Sequence, residues 1–499
     1  MAKNTVLLYI RMFFLLLVGF YTVRLLLQML GVEDYGLYNV IFGLVTSFSF
    51  FSGAMQSTIQ RFICYELSQG KTENVKKVFA VSLFLFLVLS IIVLIVAETA
   101  GLWFICNKLS VPVAKEQTVQ IVYQLSIFMV IFKILQVPYI AAMTSYENMG
   151  TYAKISIVDA SLHLASVGAL KYISDDRLVY FTILYTICNL AVLVYYVTYC
   201  QKKYTVCRIN FGVDKDYLKS MTTFFSWNLF GAIANISKQQ GLNLLLNVFC
   251  GVILNATWGI ATQVGGAIGQ FSASFQQAFN PQILKSYNDP DRNAFWELLC
   301  SCSKYSFLLI WLVSLPMLLS TEFFLELWLG KNLPDYVVFF TQMTIIHVVI
   351  DAMNAPLWVS VQATGNVRKY QIEISILICF NFILSFIVLQ LKAHPLSVAM
   401  INVFVNLLCF GYRLLYLHKN IGLRIGQYCR KCLIPAVIIG CGSYFSGLYI
   451  RKLFTNNICM ILCSLTIITI INLVLVIFVG LSNREKKALS SYCKRKFYK

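Results

Sequence analysis

Apolar runs of about 20 residues recur from one end of this chain to the other, each long enough to cross a hydrocarbon core about 30 Å thick. Fourteen can be read, at 7–30, 37–60, 78–100, 118–141, 154–172, 178–200, 222–249, 252–277, 302–326, 337–361, 372–391, 394–418, 431–450 and 458–480. In lipid the backbone must satisfy its own N–H and C=O groups, so such runs are helices or strands of a closed barrel. No alternating apolar–polar pattern with turns appears, which leaves an all-α integral membrane protein of about fourteen transmembrane helices. The chain is 59% hydrophobic and 12% charged, whereas a soluble domain carries about a quarter charged residues. The first run contains Arg11 and Arg24 and lacks a small-residue cleavage site, so it reads as a span and not as a signal peptide.

A formal charge of +19 invites a nucleic-acid reading, but the basic residues lie in short loops between apolar runs and form no basic soluble face. Nucleic acid is therefore not an expected partner. If both termini are cytoplasmic, the inner loops and tail hold about 26 Lys and Arg against 8 outside, including Lys108, Lys115, Arg177 and Lys331. That bias orients the chain with both termini in the cytoplasm. The sixteen cysteines are scattered through the apolar runs as small hydrophobes. Cys429 and Cys432 have redox or metal spacing but no companion pair, and no metal site is expected.

An internal repeat runs at an offset of 220 residues. Leu25-Leu26 matches Leu245-Leu246, Gly31-Val32 matches Gly251-Val252, Gln56 matches Gln276, and Tyr38 sits opposite Trp258. The copies start at the first and seventh spans and so share orientation, which implies a pseudo-two-fold axis along the membrane normal. The expected organisation is a six-helix lobe over 1–205, a second over 206–425, two extra helices over 426–482 and a basic cytoplasmic tail over 483–499.

Two stretches carry a family resemblance. One is Leu30-Gly31-Val32-Glu33-Asp34-Tyr35-Gly36-Leu37-Tyr38 with Gln60-Arg61-Phe62. The other runs from Asn255-Ala256-Thr257-Trp258-Gly259-Ile260-Ala261 to Asn280-Pro281-Gln282-Ile283 and Lys285-Ser286-Tyr287. Together they resemble the polysaccharide-flippase branch of the superfamily that also holds multidrug-and-toxin extruders and lipid II flippases. The resemblance implies two six-helix lobes around a cavity with alternating access. The implied cargo is an undecaprenyl-pyrophosphate-linked oligosaccharide for O-antigen, capsule or exopolysaccharide, carried across the bacterial cytoplasmic (inner) membrane. It also implies a polysaccharide polymerase and other assembly proteins as partners, and no fixed catalytic residues.

A charge inside a span is costly and by default marks function. Lys133 lies near the middle of the fourth span, Lys238 near the middle of the seventh, and Arg24 in the outer half of the first. These are the candidates to line a cavity and meet a pyrophosphate; the plain alternative is a structural partner across helices. Arg11, Lys304 and Arg413 lie within snorkelling reach of the inner interface and are expected there. Glu373, near the inner end of the eleventh span, is also expected at the interface. Asp159 with His163, and His347 with Asp351, are spaced four apart, so each pair shares a helical face. Such pairs are suited to H+ or Na+ coupling, or else to a neutral His holding a buried Asp. Pro138, Pro316 and Pro356 each remove a helical hydrogen bond and are candidate hinges. Gly265, Gly266 and Gly269 suit close helix packing, and Trp103, Trp328 and Trp358 read as interface anchors.

No nucleotide-binding loop or Ser/His/Asp set is legible, so no enzyme, cofactor or catalytic residue is expected. A multidrug-type exporter would favour carboxylates and aromatics in its cavity. A glycan polymerase or ligase would need sizeable external loops, which this chain lacks, and a scaffold gives no reason to bury three bases.

Overall fold

The computed structural model describes residues 2–46, 50–103, 105, 115–173, 176–208, 212–289, 291–330, 333–454, 458–480 and 485–486. The chain is a multi-pass, all-helical membrane protein, and no strand occurs among the described residues. Ten described helices are each long and apolar enough to cross a membrane. Their outward faces carry residues such as Ile376, 63% exposed, and Phe478, 71% exposed, which lipid accommodates and water would not.

The helices are α1 (Ala2–Thr46), α2 (Phe50–Ser68), α3 (Thr72–Val96), α4 (Glu116–Ser145), α5 (Met149–Ala169), α6 (Arg177–Lys203) and α7 (Lys215–Ser286). There follow α8 (Arg292–Leu319), α9 (Thr321–Leu329), α10 (Val337–Ala363), α11 (Arg368–Gln390) and α12 (Leu396–Ile421). A turn at Ile425–Tyr428 and a π-turn at Cys429–Leu433 lead into α13 (Ile434–Leu453), and α14 is Ile458–Leu475.

The loop expected between the first two spans shrinks to one residue. Helical geometry runs through α1 except at Gly31, whose φ of 79° and ψ of 174° lie outside the helix. A side chain rarely adopts that region, at a cost of about 1–3 kcal/mol. Gly31→Val should therefore lower the melting temperature of the purified protein, and an unchanged melting curve would show that the kink tolerates a side chain.

A straight α7 of 72 residues would be about 108 Å long at 1.5 Å per residue. Yet both its ends lie on one short piece of chain. Tyr217 donates its hydroxyl to Glu66 at 2.8 Å, and just beyond the other end Asn288 donates to Ser68 at 3.0 Å. The run must therefore double back near its midpoint, giving two arms that stand for the seventh and eighth spans. Its start is capped: Asp214 accepts from the Asp216 and Tyr217 amides at 3.1 and 3.2 Å and pairs with Lys77 at 3.1 Å. These bonds, the Tyr217 amide first, hold the Asp214 carboxyl below its ordinary range.

The chain divides into two compact units, one of residues 1–229 with 284–288, the other of residues 230–283 with 289–499. In the first unit α1 packs on α5, α2 and α3 on α4, and α6 on both α4 and α5. The first span is the part of α1 concerned, since Arg11 meets Tyr152 at 3.1 Å. In the second unit α8 packs on α10, and α12 on both α10 and α11. The first arm of α7 meets α11, where Gly231 lies close against Gln371 and Phe249 contacts Phe386 at 5.8 Å. The second arm meets α10, where a β-carbon on Gly265 would clash with Thr344. Spans 1·5, 2·4, 3·4, 4·6 and 5·6 of the first unit thus recur as 7·11, 8·10, 9·10, 10·12 and 11·12 of the second. This six-span shift in packing parallels the weak sequence repeat. The remaining helices, α13 and α14, pack on each other and on α8, where Trp311 donates to Ser443 at 2.8 Å.

The helices continue through Pro138, Pro316 and Pro356. Trp103 and Trp328 are more than half exposed, as anchors would be. Trp358 differs: it stacks on Tyr370 at 5.2 Å, inside the second unit. Lys304 is buried against Glu485, at 2.9 Å. Most of the tail, with Lys108 and Lys331, lies outside the described residues.

Candidate functional site: a charged cluster in each unit

In the first unit the sequence candidates converge. α4 supplies Lys133, α5 supplies Asp159 and His163 one turn apart, and α6 supplies Tyr185, because these three helices pack on one another. Lys133 donates from Nζ to the Tyr185 hydroxyl at 3.1 Å, with the ammonium 5.2 Å from the ring centre. His163 stacks on the same ring at 4.1 Å. Asp159 lies within electrostatic range of Lys133, but the two form no ion pair within 4.0 Å. Asp159 and His163 do not bond each other; Asp159 Oδ1 and His163 Nε2 are buried without a described partner. Buried polar atoms of this kind are uncommon and mark a place where a proton, ion or water can act. Phe181 and Tyr38 extend the aromatic wall, 5.8 Å from Tyr185 and 5.6 Å from Phe181 respectively.

The second unit holds a parallel set around a polar cavity of about 90 Å³. Lys238 from α7, His347 and Asp351 from α10, and Asn402, Asn406 and Arg413 from α12 line it. Lys238 donates to Asn402 Oδ1 at 3.4 Å, and that oxygen also accepts from Asn381 at 3.0 Å. Asn406 donates to His347 Nδ1 at 2.7 Å and to the His347 carbonyl at 3.0 Å, while accepting from Asn354 at 3.3 Å. Asp351 stands at the exposed rim, within electrostatic range of Lys238, His347 and Arg413.

Arg413 corrects the sequence expectation. Besides lying near the span end, it is half-buried, donates from Nε to the Tyr370 hydroxyl at 2.6 Å and lines the cavity. Four long methylene-bearing bonds give Arg reach in either direction, and the decision lies with the tyrosine across the helix pair. Glu373 is likewise half-buried, bonded by the Tyr412 hydroxyl. Arg24 lies on α1, but its side chain falls outside the described residues.

Tyr185, Asn402, Asn406 and Arg413 were not singled out for the site from sequence. Asn402, Asn406, Cys409 and Arg413 step by four, three and four residues, a polar stripe on one helical face that the sequence displayed. Tyr185 had no such signal among 28 tyrosines.

The arrangement of helices recurs in solved transporters. A transporter of the MOP superfamily from Pyrococcus furiosus matches with a TM-score of 0.70 at 12% identity, over 84% of this chain and 96% of that one; its description notes a reversed polarity of the binding pocket. A MATE structure in the bent conformation matches at 0.72 with 13% identity, over 86% and 97%. An outward-facing multidrug resistance MATE transporter of the same superfamily matches at 0.70 with 13% identity, over 85% and 96%. The fold is thus shared with these transporter structures. No protein-family model and no curated protein sequence matches the chain.

Proposed function

We propose that this chain is a flippase that carries an anionic, lipid-linked oligosaccharide across the bacterial cytoplasmic membrane by alternating access, making no covalent change. The carrying observation is the sign of the membrane-embedded charge. Lys133, Lys238 and Arg413 outnumber Asp159 and Asp351 in the two clusters, and neither lysine is neutralised by an ion pair among the described residues. A base kept at membrane depth attracts phosphate, and Arg and Lys are the residues suited to bind it. Lys133, Lys238 and Arg24 are the proposed cargo-facing cations. The resemblance of the Gly31–Tyr38 and Asn255–Tyr287 motifs adds the substrate class: an undecaprenyl-pyrophosphate-linked repeat unit for O-antigen, capsule or exopolysaccharide.

Energy would come from an H+ or Na+ gradient through Asp159 with His163 and His347 with Asp351, or from consumption of the cargo outside. Pro138, Pro316 and Pro356 are the proposed hinges, both termini are cytoplasmic, and a polysaccharide polymerase with other assembly proteins receives the product. The Pyrococcus transporter, whose description stresses reversed pocket polarity, is a precedent for a change of function by charge within this fold.

A deletion strain should accumulate lipid-linked repeat units on the cytoplasmic leaflet and lose surface polysaccharide. A second reading, export of amphipathic cationic drugs, is favoured by the aromatic wall of Tyr38, Phe181 and Tyr185 and by the MATE neighbours. Normal polysaccharide together with new drug sensitivity in the deletion strain would establish that reading in place of the first.

A further inference from the structure

We propose that the polar cavity of the second unit binds a small inorganic monovalent anion, chloride in the cell, between Lys238 and Arg413. The proposal goes beyond glycan transport: with no cargo bound, the cavity of about 90 Å³ has room beside Lys238 for a small ion. At roughly 30 Å³ per water, that volume suits three waters or one halide with part of its shell.

The lining places strong donors beside the acceptors of Asn235 and Asp351. Lys238 has three N–H groups and one described acceptor, Asn402 Oδ1, at the long limit of 3.4 Å. That acceptor is shared with Asn381. Arg413 uses Nε on Tyr370 and has no described protein partner for its two terminal nitrogens. His347 accepts at Nδ1 from Asn406, so its ring proton sits on Nε2. The Asn406 amide is held in that orientation by Asn354, which donates to its oxygen. Against two bases stands one acid, Asp351, at the exposed rim and in no ion pair within 4.0 Å among the described residues. A cation would find the oxygens of Asn235 and Asp351 but also two positive neighbours, Lys238 and Arg413. An anion would find the donors already aimed and would offset the cost of two bases enclosed with one carboxylate.

The test uses the full-length protein in nanodiscs without glycan, so its outcome is independent of the flippase reading. Sodium gluconate is exchanged for sodium chloride at constant ionic strength while the melting temperature and the ³⁵Cl linewidth are followed. Both should change saturably with chloride. Lys238→Met should abolish the response, and Lys431→Ala, at an exposed pair with Glu297, should keep it. Asp351→Asn should tighten chloride roughly tenfold, since it deletes a like charge beside the anion. A gain in affinity cannot arise from a damaged fold, so this variant decides the matter even if Lys238→Met folds poorly. Identical curves in chloride and gluconate, a full response in Lys238→Met, or no tightening in Asp351→Asn would each overturn the proposal.

Discussion

Lys133→Met is expected to reduce glycan export roughly tenfold or more, equivalent to about 1.4 kcal/mol or more of lost stabilisation. The same substitution should also lower stability, by about 1–3 kcal/mol, because it leaves Asp159 buried with Oδ1 unpartnered and its nearby positive charge gone. The two effects have different causes and can be separated. Adding Asp159→Asn removes the stranded carboxylate, so the double variant should recover much of the melting temperature while export stays low. A double-mutant cycle is the proper frame, since the two residues are coupled. If export returned in step with stability, Lys133 would be no more than a counter-charge, and the cargo-facing role would be lost.

Arg413→Ala is expected to cost about 3–5 kcal/mol, the scale for removing one member of a buried charged network. Its loss takes the Nε–H bond from Tyr370 and a positive neighbour from Asp351. Arg413→Lys should recover part of this, since a lysine keeps the charge but not the planar fork. The comparison is Lys419→Ala, at the exposed end of the same helix, where truncation should matter little. Melting temperatures of the three variants in one detergent make the measurement. Equal effects of Arg413→Ala and Lys419→Ala would return Arg413 to the interface.

Much of the fold was legible because lipid imposes a simple rule: a run of about 20 apolar residues must close its own hydrogen bonds. The runs around 118–141, 154–172 and 178–200 therefore appear as α4, α5 and α6 with boundaries shifted by a few residues. The joints were less legible. Leu30–Tyr38 read as a loop because its polar residues interrupt the apolar run, yet the helix passes through with one kink at Gly31. Backbone continuity depends on local φ and ψ, and hydropathy does not report them.

The site divides in the same way. A base or acid at mid-span announces itself by its cost, so Lys133, Asp159, Lys238 and Asp351 stood out unaided. Spacing of four put His163 beside Asp159 and His347 beside Asp351 on their helices, but it could not tell that His163 would stack on Tyr185 and His347 would bond Asn406. Arg413 and Trp358 both meet Tyr370 on the next helix, which their places in the sequence did not show. Near the end of a span a long or broad side chain is equally content with water or with a partner on the next helix.

The sequence by itself determined that this chain lives in lipid, that it is helical, and which charged residues carry exceptional cost. These follow from the transfer of single segments, a property each stretch of chain has alone. The tertiary structure decided which of those charges meet. It joined Lys133 to Tyr185 and Lys238 to Asn402, left Asp351 at a rim, and turned Arg413 inward. Those outcomes depend on helices distant in sequence packing face to face, and in lipid the register of that packing is chosen by side-chain fit and interhelical hydrogen bonds.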